Sequence, residues 1–198
     1  MPRLTHPLAR VSLGLGAAAL LTLGTTLSAF AAADTGATIS GGTLSGGALT
    51  FATFGTIALN GAQQTATSAW SIANVDDARG TGAGWNVSLS LTQLAEYNTT
   101  TLAYVTGGKT LATSSIKVTT APVVSLVDST SSPASTITPV ATTTALDTGS
   151  AVKLLDAAAN GGMGTYSFSN MTTTLTVPAN AHAATYKSDA TVSLNAAP

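Results

Sequence analysis

Cysteine is absent from this sequence. No disulfide ties the fold, and no thiol serves as nucleophile or soft metal ligand. Charge is scarce too: Asp, Glu, Lys and Arg make up 8% of 198 residues. Nothing in so thin a set forms a basic face for a phosphate backbone or a cationic block for an anionic membrane. Glutamate occurs once, at Glu96, so a catalytic glutamate pair is excluded. Histidine occurs twice, at His6 and His182, too few for a zinc site with the scattered acids. No Gly-x-Ser-x-Gly elbow and no phosphate-loop lysine occur. Long helical patterns of Leu, Glu and Lys are nearly missing.

What is there begins with a leader. Arg3, His6 and Arg10 give a basic start, 11–27 is an apolar run, and small residues follow at Ala29, Ala31 and Ala33. That order predicts a signal peptide over 1–33, cut after Ala31 or Ala33. Glycines and threonines in the run argue against a retained anchor. The rest, 34–198, has the length of one domain able to bury a core. Without Arg3 and Arg10, five basic residues face eight acidic ones, a net charge of −3. The expected location is secreted, extracellular or wall-associated, with no nucleic acid and, after cleavage, no membrane as partner.

Threonine, serine, glycine, alanine and valine dominate, and stiff threonine and valine favour extended backbone. Trp85, Val87, Leu89 and Leu91 alternate with Asn86, Ser88, Ser90 and Thr92, a strand with one wet face. Tyr186, Ala190, Val192 and Leu194 repeat the pattern, as do Leu49, Phe51, Ile57 and Leu59, less strictly, around Gly55. Further strands are expected over 68–75, 115–120, 123–128, 135–146, 151–156 and 172–177, divided by turns such as Asn60-Gly61 and Asn160-Gly161-Gly162. The stretch 130–139 reads as a long crossing loop. The predicted fold is all-β: one sandwich or partly closed barrel of about nine to eleven mostly antiparallel strands.

The stretch 75–91, VDDARGTGAGWNVSLSL, sets Asp76, Asp77 and Arg79 beside Gly80, Gly82 and Gly84. A guanidinium takes a carboxylate at two points, so an Asp–Arg pair can pin this turn and set the next strand's register. A polar loop on a rigid sheet also suits a glycan or partner protein. A calcium loop fits less well, because the acids are adjacent rather than alternating. Adjacent residues on extended chain point to opposite faces, so Asp76 and Asp77 make a poor acid–base pair. Trp85 lines up with core residues, and Trp70 shares a face with Ile72; each is read as either core packing or a surface for ligand stacking.

The run DDARGTGAGWNVSLSLTQL resembles the first signature of the WxL surface domain of Gram-positive bacteria. The run LTVPANAHAATYKSDATVSLNAAP, 175–198, resembles that family's closing hairpin, and GGMGTYSFS, 161–169, its Gly-x-Gly-x-Tyr step. Trp85-Asn86-Val87 keeps the first tryptophan with valine third, and Val192-Ser193-Leu194 keeps the last leucine with valine first. The resemblance implies a β-rich module attached non-covalently to peptidoglycan, often beside another surface protein. The expectation is therefore a secreted, non-catalytic cell-surface module without a cofactor or metal. Its ligand or partner residues would be drawn from Asp76, Asp77, Arg79, Trp85 and Trp70. Tyr97, Tyr104 and Tyr166 are further rings able to stack on sugars. A self-assembling homo-oligomeric subunit of a surface layer or filament is the alternative, since low charge and strand edges suit edge-to-edge pairing.

Overall fold

Period-two alternation marks the longer strands of this chain. The structure, a computed structural model, describes residues 37–198; the predicted signal peptide over 1–33 lies outside them. The strands are β1 (Leu44–Gly46), β2 (Leu49–Thr50), β3 (Gln64–Ile72), β4 (Val75–Asp77), β5 (Trp85–Leu91), β6 (Ala95–Asn98), β7 (Ala103–Tyr104) and β8 (Ile116–Thr120). There follow β9 (Val124–Leu126), β10 (Ile137–Pro139), β11 (Val152–Ala157), β12 (Gly164–Phe168), β13 (Met171–Val177), β14 (Tyr186–Lys187) and β15 (Ala190–Asn195). All their pairings are antiparallel.

Fifteen strands form four sheets, ordered β1-β4-β12-β9, β2-β3-β13-β8, β10-β11-β5-β15 and β14-β6-β7. The first two sheets follow one another along the same four runs of chain, across a crease. Tyr166 opposes Val75 on one side of the crease and Met171 opposes Trp70 on the other, with four residues between on each strand. Gly46 opposes Val75 and Leu49 opposes Ile72, with two residues between on each. Thr120 opposes Thr172 and Val124 opposes Phe168, with three between on each. Register therefore survives the crease, and each of four long runs counts as two strands. The described residues thus hold fifteen strands rather than the nine to eleven expected, because four extended runs are each broken in two. None of the sheets closes, so the expected barrel alternative does not form.

The alternating apolar positions of these sheets meet in one core. Trp85, Val87 and Leu89 from β5 are fully buried, as are Leu154 and Leu155 from β11, Val75 from β4, Tyr166 from β12 and Val118 from β8. Each such side chain contributes about 1.5–3 kcal/mol by leaving water, which must carry a fold that no covalent link supports. On β13 the inward positions are Met171, Thr173, Leu175 and Val177. Thr173 is tolerated there because its hydroxyl donates to Ser68 O at 3.3 Å.

Several local expectations are corrected. The alternation expected through Phe51, Ile57 and Leu59 yields strand only at Leu49–Thr50, and 51–59 is irregular. Gly55 has φ +71°, and Ala52 O is held by side chains rather than by a ladder. Of 135–146 only Ile137–Pro139 is a strand, after a short 3₁₀ turn at Ala134–Thr136, and Ala145 makes a single antiparallel bridge to Lys117. That turn and β10 lie within the stretch read as a crossing loop. Strands β1, β6, β7 and β12 are additions; three of them are four residues or fewer, too short to show a period.

Candidate functional site

The charged corner grows out of the end of β4. Asp77 points inward from β4 and is 3% exposed, whereas Asp76 points out. Arg79 Nε donates to Asp77 Oδ1 at 2.8 Å, and Nη2 donates to Oδ2 at 2.8 Å, the bidentate geometry of a planar fork. The Arg79 backbone N–H also donates to Oδ1, at 3.2 Å. Two more guanidinium donors are used: Nη2 on Gly84 O at 2.7 Å and Nη1 on Ala196 O at 2.8 Å, so four of five N–H groups are bonded. Hydrogen bonds from Arg79 hold the Asp77 carboxyl below its ordinary pKa despite burial, and Asp77 pushes the Arg79 guanidinium up in return.

This pair joins distant parts of the chain. Asn86 Nδ2 donates to Ala197 O at 2.7 Å, so Arg79 and Asn86 together hold the segment after β15. Gly84 must be glycine: its φ is +75°, and a Cβ there would lie 2.4 Å from Ala157 O. Trp85, next along, has no exposed surface; its Nε1–H donates to Gly162 O at 2.8 Å, and its ring lies 6.3 Å from that of Tyr166. A Cβ on Gly162 would come within 2.7 Å of Trp85 Nε1, which explains glycine there too. Tyr166 is equally buried, and its hydroxyl donates toward Ser132 O (2.7 Å) and Met163 O (2.9 Å). Burial raises its pKa.

A second buried acid was not singled out in the sequence, where Asp147 reads as part of an Asp-Thr-Gly turn. Asp147 is fully buried, and its two oxygens accept Ser115 N–H at 3.0 Å and Ile116 N–H at 3.1 Å. It pins the start of β8 by satisfying two buried donors.

The other tryptophan lies on a different surface. Trp70, on β3, is 3% exposed, with Nε1–H donating to Ala52 O at 3.2 Å and Ser68 Oγ at 3.1 Å. Phe51 meets it edge-on at 4.9 Å between centroids and Phe54 at 6.2 Å. The irregular segment 51–59 and the segment 182–188 wall a groove of about 1210 Å³, floored by Trp70, Leu94, Leu111, Leu175 and Val177. His182, Lys187 and Ser188 bring polar groups to it. Beside the groove, Lys187 Nζ stands 3.9 Å over the Tyr97 ring, and Tyr97 meets Tyr104 edge-on at 5.4 Å. The Tyr104 hydroxyl donates to Asp189 at 2.8 Å, and burial together with that carboxylate pushes its pKa up to about 12.

The five residues singled out from sequence thus fall in two places. Asp76, Asp77, Arg79 and Trp85 share the corner, and Trp70 stands apart in the groove. Phe51, Phe54 and Tyr186 were missed as groove residues, because a pattern read as strand concealed the irregular wall.

A protein-family model, the WxL domain, described as a surface cell wall-binding domain, matches residues 24–198. No curated protein and no solved structure gives a significant match. Among the described residues no helix is long and apolar enough to cross a membrane.

Proposed function

The chain belongs to the WxL family of surface cell wall-binding domains, and from that premise we propose that it is an exported, non-catalytic module whose groove over Trp70 holds peptidoglycan glycan non-covalently. One observation carries the choice of surface. Only at this groove, among the described cavities, do aromatic rings line an opening of about 1210 Å³ together with polar groups. Sites for small molecules and sugars combine apolar walls with a few placed polar groups. Phe51, Phe54 and Tyr186, packed around the buried Trp70, offer rings for sugar faces, and His182, Lys187 and Ser188 offer hydrogen bonds to hydroxyls.

The corner is a poor alternative surface. Arg79 spends its fork on Asp77, Gly84 and Ala196, and Trp85 has no face open to a ligand. Asp77, Arg79 and Trp85 therefore act by fixing the sheets that carry the groove, while the Asp76 side chain points outward. A catalytic role for the two aspartates is disfavoured by the same geometry, since Asp77 is consumed in an ion pair and Asp76 faces away.

The test is co-sedimentation of the purified chain with wall sacculi, against Tyr186→Ala and Phe54→Ser variants whose folding is checked by circular dichroism. The wild type pellets with sacculi, and the variants lose roughly tenfold or more in affinity, the scale of ~1.4 kcal/mol. Unchanged pelleting by both folded variants would remove the groove from the account. Failure of wild type to pellet, with capture by another surface protein, would replace glycan with a protein partner.

A further inference from the structure

The longest described strand leaves one edge open. From Gln64 to Trp70 β3 pairs with β13, but on its other side β2 covers only Ile72 and Ser71. On that side Ala73 N–H donates to Ala48 O at 2.8 Å. Backbone groups alternate in direction along an antiparallel strand, so Thr65, Thr67 and Ala69 aim N–H and C=O the same way. Among the described residues these groups meet no backbone partner. The cause is local. After Thr50 the chain turns onto the side-chain face of β3, where Ala52 O accepts Ser68 Oγ at 2.6 Å and Trp70 Nε1 at 3.2 Å. It can no longer lie in the plane of the sheet.

Natural sheets guard such edges with charge, proline, a bulge or a cover. From Thr35 to Val75 the sequence has no charged residue, no histidine and no proline. The pairing of β3 with β13 carries no bulge. The side chains of Thr65, Thr67 and Ala69 are small and exposed. The edge is thus unpaired, uncharged and unbent.

We propose that this edge pairs with the same edge of a second copy of the chain, antiparallel, about a two-fold axis at Thr67. In that register Thr67 opposes the partner's Thr67, and Thr65 opposes the partner's Ala69. The residues that aim backbone groups outward then meet one another on both strands. A shift by one residue would set bonding positions against non-bonding ones. A second copy is the occupant because the register is self-complementary and neither side brings a charge to repel its like. The creased sheet then continues from one copy into the next, and two grooves are carried on one body, which raises wall avidity without a new contact.

The test needs no wall material, so its outcome is separate from that of glycan binding. Sedimentation velocity of the purified full chain is expected to show a dimer that grows with concentration. Thr67→Lys sets like charges directly opposite each other and weakens the dimer by roughly tenfold with an unchanged circular dichroism spectrum. The natural absence of cysteine makes a second readout clean. Thr67→Cys places two thiols on residues about 5.5 Å apart between Cα atoms, within disulfide range, so mild oxidation gives a covalent dimer. Thr191→Cys, exposed on β15, gives none. A wild type that stays monomeric throughout, or cross-linking through Cys at 191 in place of 67, overturns the proposal.

Discussion

The two tryptophans of this chain are buried almost equally, Trp85 at 0% and Trp70 at 3% exposure, yet their surroundings have little in common. Trp85 lies on β5, donates to a backbone carbonyl on Gly162, and follows the corner held by the Asp77–Arg79 pair. Trp70 is covered by Phe51 and Phe54 on an irregular segment, and Phe51 is itself 39% exposed. What covers a side chain matters more than how much of it is covered. A lid of ladder hydrogen bonds makes scaffold, and a lid of loop side chains makes a surface that a ligand can displace.

The sharpest way to break this contrast is to remove the corner. Trp85→Ala deletes the largest fully buried side chain and is expected to cost about 3–5 kcal/mol in urea unfolding. Arg79→Ala leaves Asp77 without its partner and frees the segment at Ala196, with an expected loss on the order of 2–4 kcal/mol, less than for a fully buried pair because the guanidinium is partly exposed. Asp147→Ala strands two buried N–H donors and is expected to cost about 2–4 kcal/mol, again without any direct effect on a ligand.

Acid sharpens the comparison further. Asp77 has a lowered pKa in the folded chain, so its contribution is present above the unfolded value near 3.8 and is lost as pH falls through the folded one. Asp77→Asn should flatten that acid limb of stability, measured as the urea midpoint against pH. Tyr104 works at the other end. Its folded pKa of about 12 stands above the ordinary 10.0, so its contribution is full below pH 10.0 and fades toward 12. Tyr104→Phe should remove that alkaline limb. The smallest stability effect is expected in the groove wall, where Phe54→Ser costs about 1 kcal/mol or less because its ring is only partly buried.

Strong alternation was legible in the sequence. The run from Trp85 to Leu91 lies one residue from its expected end, and the strands at 116–120, 152–157 and 171–177 fall where threonine, valine and leucine alternate. An Asp–Arg pair at the corner was legible too, but which aspartate takes the fork was settled only by the inward face of Asp77 on β4. The crease was not: it shows only in the register, where β3 and β4 keep step with β13 and β12 across unpaired residues. Nor was the groove, since Phe51 to Leu59 carries the composition of a strand while Ser68 and Trp70 pull its carbonyl out of the sheet. Asp147 escaped notice because an acid in a turn motif looks solvated until the strand it pins is placed above it.

The most direct test of scaffold against surface is a paired sacculus-binding isotherm for Phe54→Ser and Arg79→Lys, each measured at a temperature where it is fully folded. The account predicts roughly tenfold or greater loss of affinity for Phe54→Ser and wild-type affinity for Arg79→Lys. The reverse pattern, with the corner variant losing binding while folded and the groove variant keeping it, would contradict it.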